Sequence, residues 1–84
     1  MTKIAGNGFI PGIYILEELS ERGMTVFDLQ EPMKHTLGYI SARIIGAVDI
    51  DEKFAKKLAK VFGTTPEIWL NLQKAYNDKQ FNRT

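Results

Sequence analysis

Four lysines recur at the spacing of one helix face and form the densest group of side chains that could bind a ligand. Lys53, Lys56, Lys57 and Lys60 lie at positions i, i+3, i+4 and i+7, which places their ammonium groups on one side of a helix. Such a row could hold phosphate groups or the acidic surface of another protein. It could equally be the solvated face of an ordinary helix, and the sequence leaves both interpretations open.

The sequence offers no constellation for catalysis or metal binding. It has one histidine, His35, and no cysteine, so it lacks a nucleophile–base pair and a thiolate or multi-histidine metal site. It has no glycine-rich phosphate loop. Glu17, Glu18 and Glu21 are expected to form a wet helix face, because neighbouring helical residues do not converge on one ion. We therefore expect no enzyme activity, no cofactor and no small-molecule substrate.

The composition is typical of a small globular domain. The 84 residues are 44% hydrophobic and 25% charged, with a net charge of +1. The sequence contains no apolar run of membrane-spanning length and no signal peptide, so we expect a cytoplasmic protein without a membrane partner. A core of this size is marginal, and dimerisation would enlarge the buried surface.

Two short helices and the turn between them are the elements that would position a binding surface. The first is predicted over residues 26–31 and the second over residues 37–45, where apolar residues recur at i, i+3 and i+7. Thr36 is placed to cap the second helix with its hydroxyl, and Gly46 is placed to end it. Because two such helices cannot bury their apolar faces alone, the pattern predicts a helix-turn-helix unit held between further helices.

Further helices are predicted on both sides of this unit, over residues 13–22, 52–62 and 67–76. In the first of them, Ile15, Leu16 and Leu19 form the apolar stripe. Asp49 or Asp51 is placed to cap the second and Gly63 to end it, and the third begins with a threonine and a proline. No strand is predicted, so the expected fold is all-α with five helices. The expected divisions are a flexible arm over residues 1–9, a helix-turn-helix domain over 10–78 and a polar tail over 79–84, with fraying from Asn77.

Three stretches carry a family resemblance. They are Pro11-Gly12 with Leu16-Glu17-Glu18, the run FAKKLAKVFGT over residues 54–64, and PEIWLNLQ over residues 66–73. Together they resemble the HigA-type antitoxins, a branch of the phage-repressor-like helix-turn-helix proteins. The resemblance covers about residues 10–76 and implies a dimeric, lambda-repressor-like DNA-binding domain. It also implies that the protein binds an operator in double-stranded DNA, represses its own transcription and neutralises a toxin that cuts messenger RNA.

The chain departs from this family at positions that matter for DNA binding. The positions that read base edges in phage repressors fall on Leu37, Gly38 and Ala42, which offer no side-chain hydrogen bond. The turn carries Lys34 where the family normally has glycine. Pro32 is expected to end the first helix of the unit, because the residue before a proline disfavours helical backbone. The charges within the unit sum to zero, which would weaken its attraction to DNA.

The resemblance also implies a set of DNA-contacting residues. Side chains at the turn would face phosphates, and the polar side chains of the second helix would reach the bases or the backbone. For Arg43 a DNA contact and a solvated position are both open, and Tyr39 could instead be packed; His35 is more simply a surface residue of the turn. The expected DNA-binding residues are Lys34, His35, Thr36, Gly38, Tyr39, Ser41, Ala42, Arg43 and Lys53.

The last predicted helix is apolar over more of its circumference than a surface helix needs. Part of this surface must enter the core, and the excess favours contact between two copies of the chain. The residues expected at the dimer interface are Trp69, Leu70, Leu72, Gln73 and Tyr76.

Two functions are compatible with the sequence. The first is a DNA-binding transcriptional regulator that acts as a HigA-like antitoxin, with an operator and a toxin as partners. The alternative is a protein-binding adaptor or inhibitor that keeps the helix-turn-helix fold with reduced or lost DNA binding. Its docking surface would be formed by Leu37, Gly38, Tyr39 and Ala42.

Overall fold

The computed structural model of the chain describes residues 9–81. Within that range the backbone forms five α-helices and no strand, so the predicted all-α fold is confirmed. Residues 1–8 of the predicted arm and residues 82–84 of the predicted tail lie outside the described residues. The elements are α1 (Pro11–Glu21), a 3₁₀ segment (Val26–Leu29), α2 (Gln30–Met33), α3 (Leu37–Ile44), α4 (Glu52–Phe62) and α5 (Pro66–Phe81).

Local hydrogen bonds at helix ends explain why α3 and α4 begin and end where they do. The Thr36 hydroxyl accepts a hydrogen bond from the Tyr39 N–H at 3.2 Å, and the Asp51 carboxylate accepts one from the Phe54 N–H at 2.9 Å. Each satisfies a backbone donor that the first turn of a helix leaves free. Gly63 ends α4 in the left-handed conformation, with φ of 72°. These caps and this stop follow the sequence prediction.

The prediction that Pro32 ends the first helix of the unit is wrong. The chain forms the 3₁₀ segment, enters α2 and continues through Pro32 to Met33. Pro32 is the third residue of α2, so its missing N–H falls in the first turn, where no intrahelical acceptor exists. The helix ends at Lys34, which has φ of 55° and ψ of 48°. The His35 N–H then donates to the Gln30 carbonyl at 3.3 Å, the hydrogen bond that closes a helix after a left-handed residue.

The protein is expected to be less stable with a lysine at position 34 than with a glycine there. The left-handed conformation costs a residue with a Cβ about 1–2 kcal/mol. Glycine avoids this cost, but about half of the benefit is lost because an unfolded chain with glycine has more conformational entropy. Lys34→Gly should therefore raise the free energy of unfolding in urea by about 0.5–1 kcal/mol. Lys34→Ala is the matched control, since it removes the same charge and keeps the strain. A glycine variant no more stable than the alanine variant would contradict this account.

The core lies between α1, α3, α4 and α5, and its closest backbone approach joins α1 to α3. Gly12 of α1 packs against the backbone of Ile44, the last residue of α3, with no room for a side chain. This contact sets the distance between the first helix and the C-terminal end of α3. The core side chains with no more than 2% exposure include Ile15, Leu19, Leu29, Met33, Ile40, Phe54, Leu58, Trp69 and Leu72.

The structure corrects two expectations about α1. Leu16, expected in the buried stripe, is 47% exposed, and Glu18, expected in water, is 5% exposed. The Glu18 carboxylate forms an ion pair with Arg22, and the other end of the Arg22 guanidinium donates to the Phe62 carbonyl at 2.6 Å. The guanidinium also lies over the Phe62 ring, 4.9 Å from its centroid. A charged pair therefore joins the end of α1 to the last turn of α4.

Helix α5 is longer than predicted. It continues past Tyr76 to Phe81, so the expected fraying is wrong for residues 77–81. The Asn77 side-chain amide donates to the Asp49 carboxylate at 3.0 Å, and Lys74 pairs with Asp78 one turn on. No glycine or proline occurs within residues 77–81. The Asn77–Asp49 hydrogen bond also holds this part of α5 against the segment between α3 and α4.

Candidate nucleic-acid interface

Helix α3 presents one side to the core and another to the surroundings. Ile40 and Ile44 are buried, as their spacing predicted. Gly38 is exposed, and a Cβ built on it would have no atom within 4 Å. Ile45, which directly follows α3, is 69% exposed. The helix is therefore held from behind and open in front, the arrangement that an element entering a DNA groove requires.

Positive charge collects beside the turn that precedes α3, although the unit itself has no net charge. The Lys57 ammonium of α4 donates to the Met33 carbonyl at 2.9 Å and lies 3.1 Å from Nε2 of His35. A surface pocket of about 320 Å³ lies next to this contact. Three lysines and three apolar residues form its walls: Pro32, Met33, Lys34, Lys57, Lys60 and Val61. The lysine stripe of α4 thus supplies the charge that the sequence of the unit lacks.

His35, Tyr39 and Arg43 form a stack along one flank of α3. The His35 ring is stacked on the Tyr39 ring with 3.8 Å between centroids. The Arg43 guanidinium lies 3.6 Å from the same centroid, and its Nη1 donates to the Tyr39 carbonyl at 2.9 Å. Because the His35 ring covers one face of Tyr39, the guanidinium occupies the other. Tyr39 is therefore packed, and His35 is not the plain surface residue that the sequence suggested.

The surroundings of His35 favour its neutral form. Burial lowers the pKa of the imidazole below its usual 6.5, and the positive charges of Lys57, Arg43 and Lys53 lower that pKa further, against an opposing effect of Asp51. The neutral ring can accept a hydrogen bond from the Lys57 ammonium, whereas the protonated ring would repel it.

The free energy of unfolding should therefore fall when His35 becomes protonated. Because the folded state has the lower pKa, the unfolded chain binds more protons as the pH drops through about 6.5, and stability is lost in that range. Above about pH 7 the contribution is complete. His35→Gln, which can still accept from Lys57, removes the titration. The stability difference between wild type and this variant should shrink from about pH 7.5 to about pH 5.5; a difference independent of pH would rule the effect out.

The structure divides the predicted DNA-binding residues into two groups. Five are half-buried along α3 or at its start: His35, Tyr39, Ser41, Ala42 and Arg43. Four are exposed around the turn, on α3 and at the start of α4: Lys34, Thr36, Gly38 and Lys53. Both groups lie around α3 and the turn, but the stack ties three members of the first group to the protein itself.

The residues predicted at the dimer interface are also divided. Trp69 has no exposed surface, and Leu72 is 2% and Gln73 7% exposed, so these three side chains belong to the core of the monomer. The Gln73 side-chain oxygen Oε1 accepts a hydrogen bond from the Ile50 backbone N–H at 2.8 Å, which holds the segment between α3 and α4. Only Leu70 and Tyr76 of the predicted set keep partly exposed side chains.

The sequence did not predict the long-range contacts of two residues, Arg22 and Lys57. Arg22 has no local signal that links it to Phe62, which is 40 positions away. Lys57 was recognised as part of the lysine stripe, but its contacts with Met33 and His35 depend on how α4 packs beside α2. Among residues 9–81 the structure contains no cluster of three or more metal-binding side chains, and none of the described helices has the length and hydropathy to cross a bilayer.

Two comparisons with known proteins found relatives of this chain. No protein-family model matches the chain. The Escherichia coli K12 protein YddM, described as an HTH-type transcriptional regulator, is 30% identical over 74 residues, 88% of this chain and 79% of its own length. The structure of an addiction module antidote protein of the HigA family from Coxiella burnetii superimposes with a TM-score of 0.80. That protein is 39% identical, and the match covers 87% of this chain and 80% of the other.

The chain belongs to the HigA family. Both the sequence match and the structural match extend over most of each chain, so the family resemblance of the sequence is confirmed and so is the helix-turn-helix fold. The Escherichia coli relative is described as a transcriptional regulator and the Coxiella burnetii relative as an addiction module antidote, and neither is described as an enzyme. In this HigA-family protein, α2 and α3 with the turn between them are the helix-turn-helix unit.

Proposed function

We propose that this protein is a DNA-binding transcriptional regulator that acts in the cytoplasm as the antidote of an addiction module. As a symmetric dimer it would place α3 of each subunit into successive major grooves about 34 Å apart. The observation that carries this proposal is the open front of α3 at Gly38 beside the positively charged turn. The roles of the Escherichia coli and Coxiella burnetii relatives support it.

Phosphate contacts are assigned to exposed lysines on both sides of the turn. Lys34 and Lys53 are exposed, and no hydrogen bond within residues 9–81 engages either ammonium group. With two subunits, these side chains could neutralise about four phosphates, for a slope of about −4 in a plot of log affinity against log salt concentration. This term would provide most of the affinity that does not depend on base sequence.

Titration of the duplex upstream of the protein's own reading frame, over a range of salt concentrations, tests this proposal. Wild type should bind at low salt with the steep slope given above. Replacing Lys34 and Lys53 with glutamine should flatten it by about half or more. Lys74→Gln on α5 is the matched control, because its ammonium already pairs with Asp78. A wild-type protein that leaves the duplex unbound at low salt would overturn the proposal.

A dimer is proposed through the exposed part of α5. Leu70 and Tyr76 are only half-buried. A tyrosine at the centre of a contact can supply much of its energy, and burial of the exposed part of the leucine would add to it. Sedimentation equilibrium should give a dimer for wild type and a monomer for the double variant Leu70→Glu, Tyr76→Glu. A wild-type monomer at micromolar concentration would contradict dimerisation.

Toxin neutralisation is the second half of the proposal and can fail independently of DNA binding. The expected toxin is the product of a neighbouring small reading frame. Co-expression of both proteins should relieve growth arrest caused by that neighbour alone and yield a complex that purifies together. Persistent arrest with soluble antidote present would remove the antidote role and leave the regulator role in place.

The protein-binding adaptor stays as a second candidate because the front of α3 is apolar. Ile45, directly after α3, is 69% exposed, and Val48 in the chain that follows is 41% exposed. An apolar surface of this kind can dock on a protein partner. The upstream-duplex titration separates the two functions, since an adaptor would show no salt-sensitive binding to DNA.

A further inference from the structure

The front of α3 has an unusual chemistry for a helix that enters a DNA groove. We define its groove face as Leu37, Gly38, Ser41, Ala42 and Ile45, which share one side of the helix at positions i, i+1, i+4, i+5 and i+8. Ile45 is the most exposed large apolar side chain of this face, at 69%. The Ser41 hydroxyl is the single side-chain hydrogen-bonding group on this face, and a serine can bond to any base pair. The face therefore has no side chain suited to read bases by a bidentate hydrogen bond.

Arg43 is the nearest side chain that could make such a bond, and the protein itself engages it. Its guanidinium is stacked over Tyr39 and bonded to the Tyr39 carbonyl. Its Nε is buried, without a hydrogen-bond partner among the described residues, so this part of the side chain lies against the protein and not in the solvent. A contact between Arg43 and guanine would have to break both the stack and the hydrogen bond.

The major groove offers one feature that an apolar face can recognise. The 5-methyl group of thymine projects into the groove and distinguishes a T·A pair from C·G through contact with alanine or larger apolar side chains. By helical spacing, Leu37 lies beside the buried Ile40 and Ile44, whereas Ala42 and Ile45 point away from them. Ile45 is exposed and Ala42 is half-buried.

We propose that Ala42 and Ile45 recognise thymine 5-methyl groups, so that this protein selects A·T-rich sites through apolar contacts in the major groove. This inference rests on the proposed DNA binding and assigns its specificity. Removing one buried methyl contact should weaken binding about fourfold, and removing one in each half-site about 15-fold.

Replacement of thymidine by deoxyuridine in the upstream duplex tests the inference, because it removes the methyl group and keeps every base-pairing edge. The affinity of wild type should fall about 15-fold for the uridine duplex. It should change less than about twofold when 7-deazaguanine replaces guanine, since that change removes the acceptor an arginine would use. Unchanged affinity for the uridine duplex, or a large loss with 7-deazaguanine, would overturn the assignment.

Combining Ile45→Ala with the uridine duplex, as in a double-mutant cycle, tests whether Ile45 contacts the thymine methyl group. If Ile45 touches the methyl group, the preference of the variant for the thymidine duplex should be clearly smaller than that of wild type, because the same contact cannot be lost twice. Ala42 should keep the remaining preference. Val48→Ala is the matched control, since Val48 is exposed but lies beyond α3; its effect should add to that of uridine. Additive effects for Ile45→Ala would overturn its role. If wild type binds neither duplex at low salt, the proposed DNA binding fails, and this inference fails with it.

Discussion

Gly12→Ala is expected to destabilise the protein by about 3 kcal/mol or more and to displace the C-terminal end of α3. A Cβ on Gly12 would lie 1.7 Å from the Ile44 carbonyl oxygen and 2.5 Å from its carbon. These are backbone atoms, which cannot move aside like the end of a flexible side chain, so α1 and α3 would have to separate. Because a small domain is stable by about 5–15 kcal/mol, this change removes a large part of the total.

Urea denaturation followed by circular dichroism measures the effect of Gly12→Ala, with Gly38→Ala as the matched control. Both substitutions add one methyl group within a helix. A Cβ on Gly38 has no atom within 4 Å, so that variant should gain about 0.5–1 kcal/mol from helix propensity. Two variants of equal stability would show that α1 and α3 are not held at the distance described above.

Arg22→Ala is expected to lower the free energy of unfolding by about 2–3 kcal/mol. It leaves the buried Glu18 carboxylate without its charged partner and removes the donor to the Phe62 carbonyl. Breaking a fully buried pair costs about 3–5 kcal/mol, and the smaller figure applies because the Arg22 side chain is 33% exposed. The loss should appear in the same urea experiment.

A double variant, Glu18→Met with Arg22→Met, tests the origin of that loss. Apolar replacement of both partners removes the buried charge together with its counter-charge, and such replacements are often neutral or stabilising. The double variant should therefore be more stable than Arg22→Ala alone. A double variant as unstable as the single one would mean that packing of the Arg22 stem on the Phe62 ring, rather than charge pairing, provides the stability.

Helix ends could be predicted from the sequence where they depend on residues close together in the chain. The Thr36 cap, the Asp51 cap and the Gly63 stop each involve groups within a few positions of one another. Their chemistry is the same in any fold, which is why helices α3 and α4 were predicted nearly to the residue. The same local rule failed at Pro32 because a proline in the first turn of α2 breaks no hydrogen bond.

Contacts between distant parts of the chain could not be predicted in this way. Glu18 was assigned to a wet face with Glu17 and Glu21, but it is buried and paired with Arg22, whose guanidinium is also held by the Phe62 carbonyl. Trp69 and Gln73 were assigned in part to a dimer interface because α5 has excess apolar width. In the monomer, Gln73 bonds to Ile50 in the segment between α3 and α4, and Trp69 packs on Phe62 and donates to the Thr64 hydroxyl.

The candidate site shows the same division between local and distant contacts. The position of α3, and the lack of hydrogen-bonding side chains at Leu37, Gly38 and Ala42 on its front, followed from the sequence. The concentration of positive charge near His35 did not, because Lys57 is 22 positions away. A sum of charges over the helix-turn-helix unit therefore underestimated the positive charge that DNA would meet.

The claim that the front of α3 lies in the DNA groove is tested most directly by Gly38→Glu. The substitution places a carboxylate in open space, so the fold should survive, as circular dichroism will show. If α3 enters the groove, the carboxylate meets phosphates, and affinity for the upstream duplex should fall about 100-fold or more. Ser20→Glu, which adds the same charge at an exposed site on α1, should bind within about threefold of wild type. A Gly38→Glu protein that is folded and binds as tightly as Ser20→Glu would contradict the account.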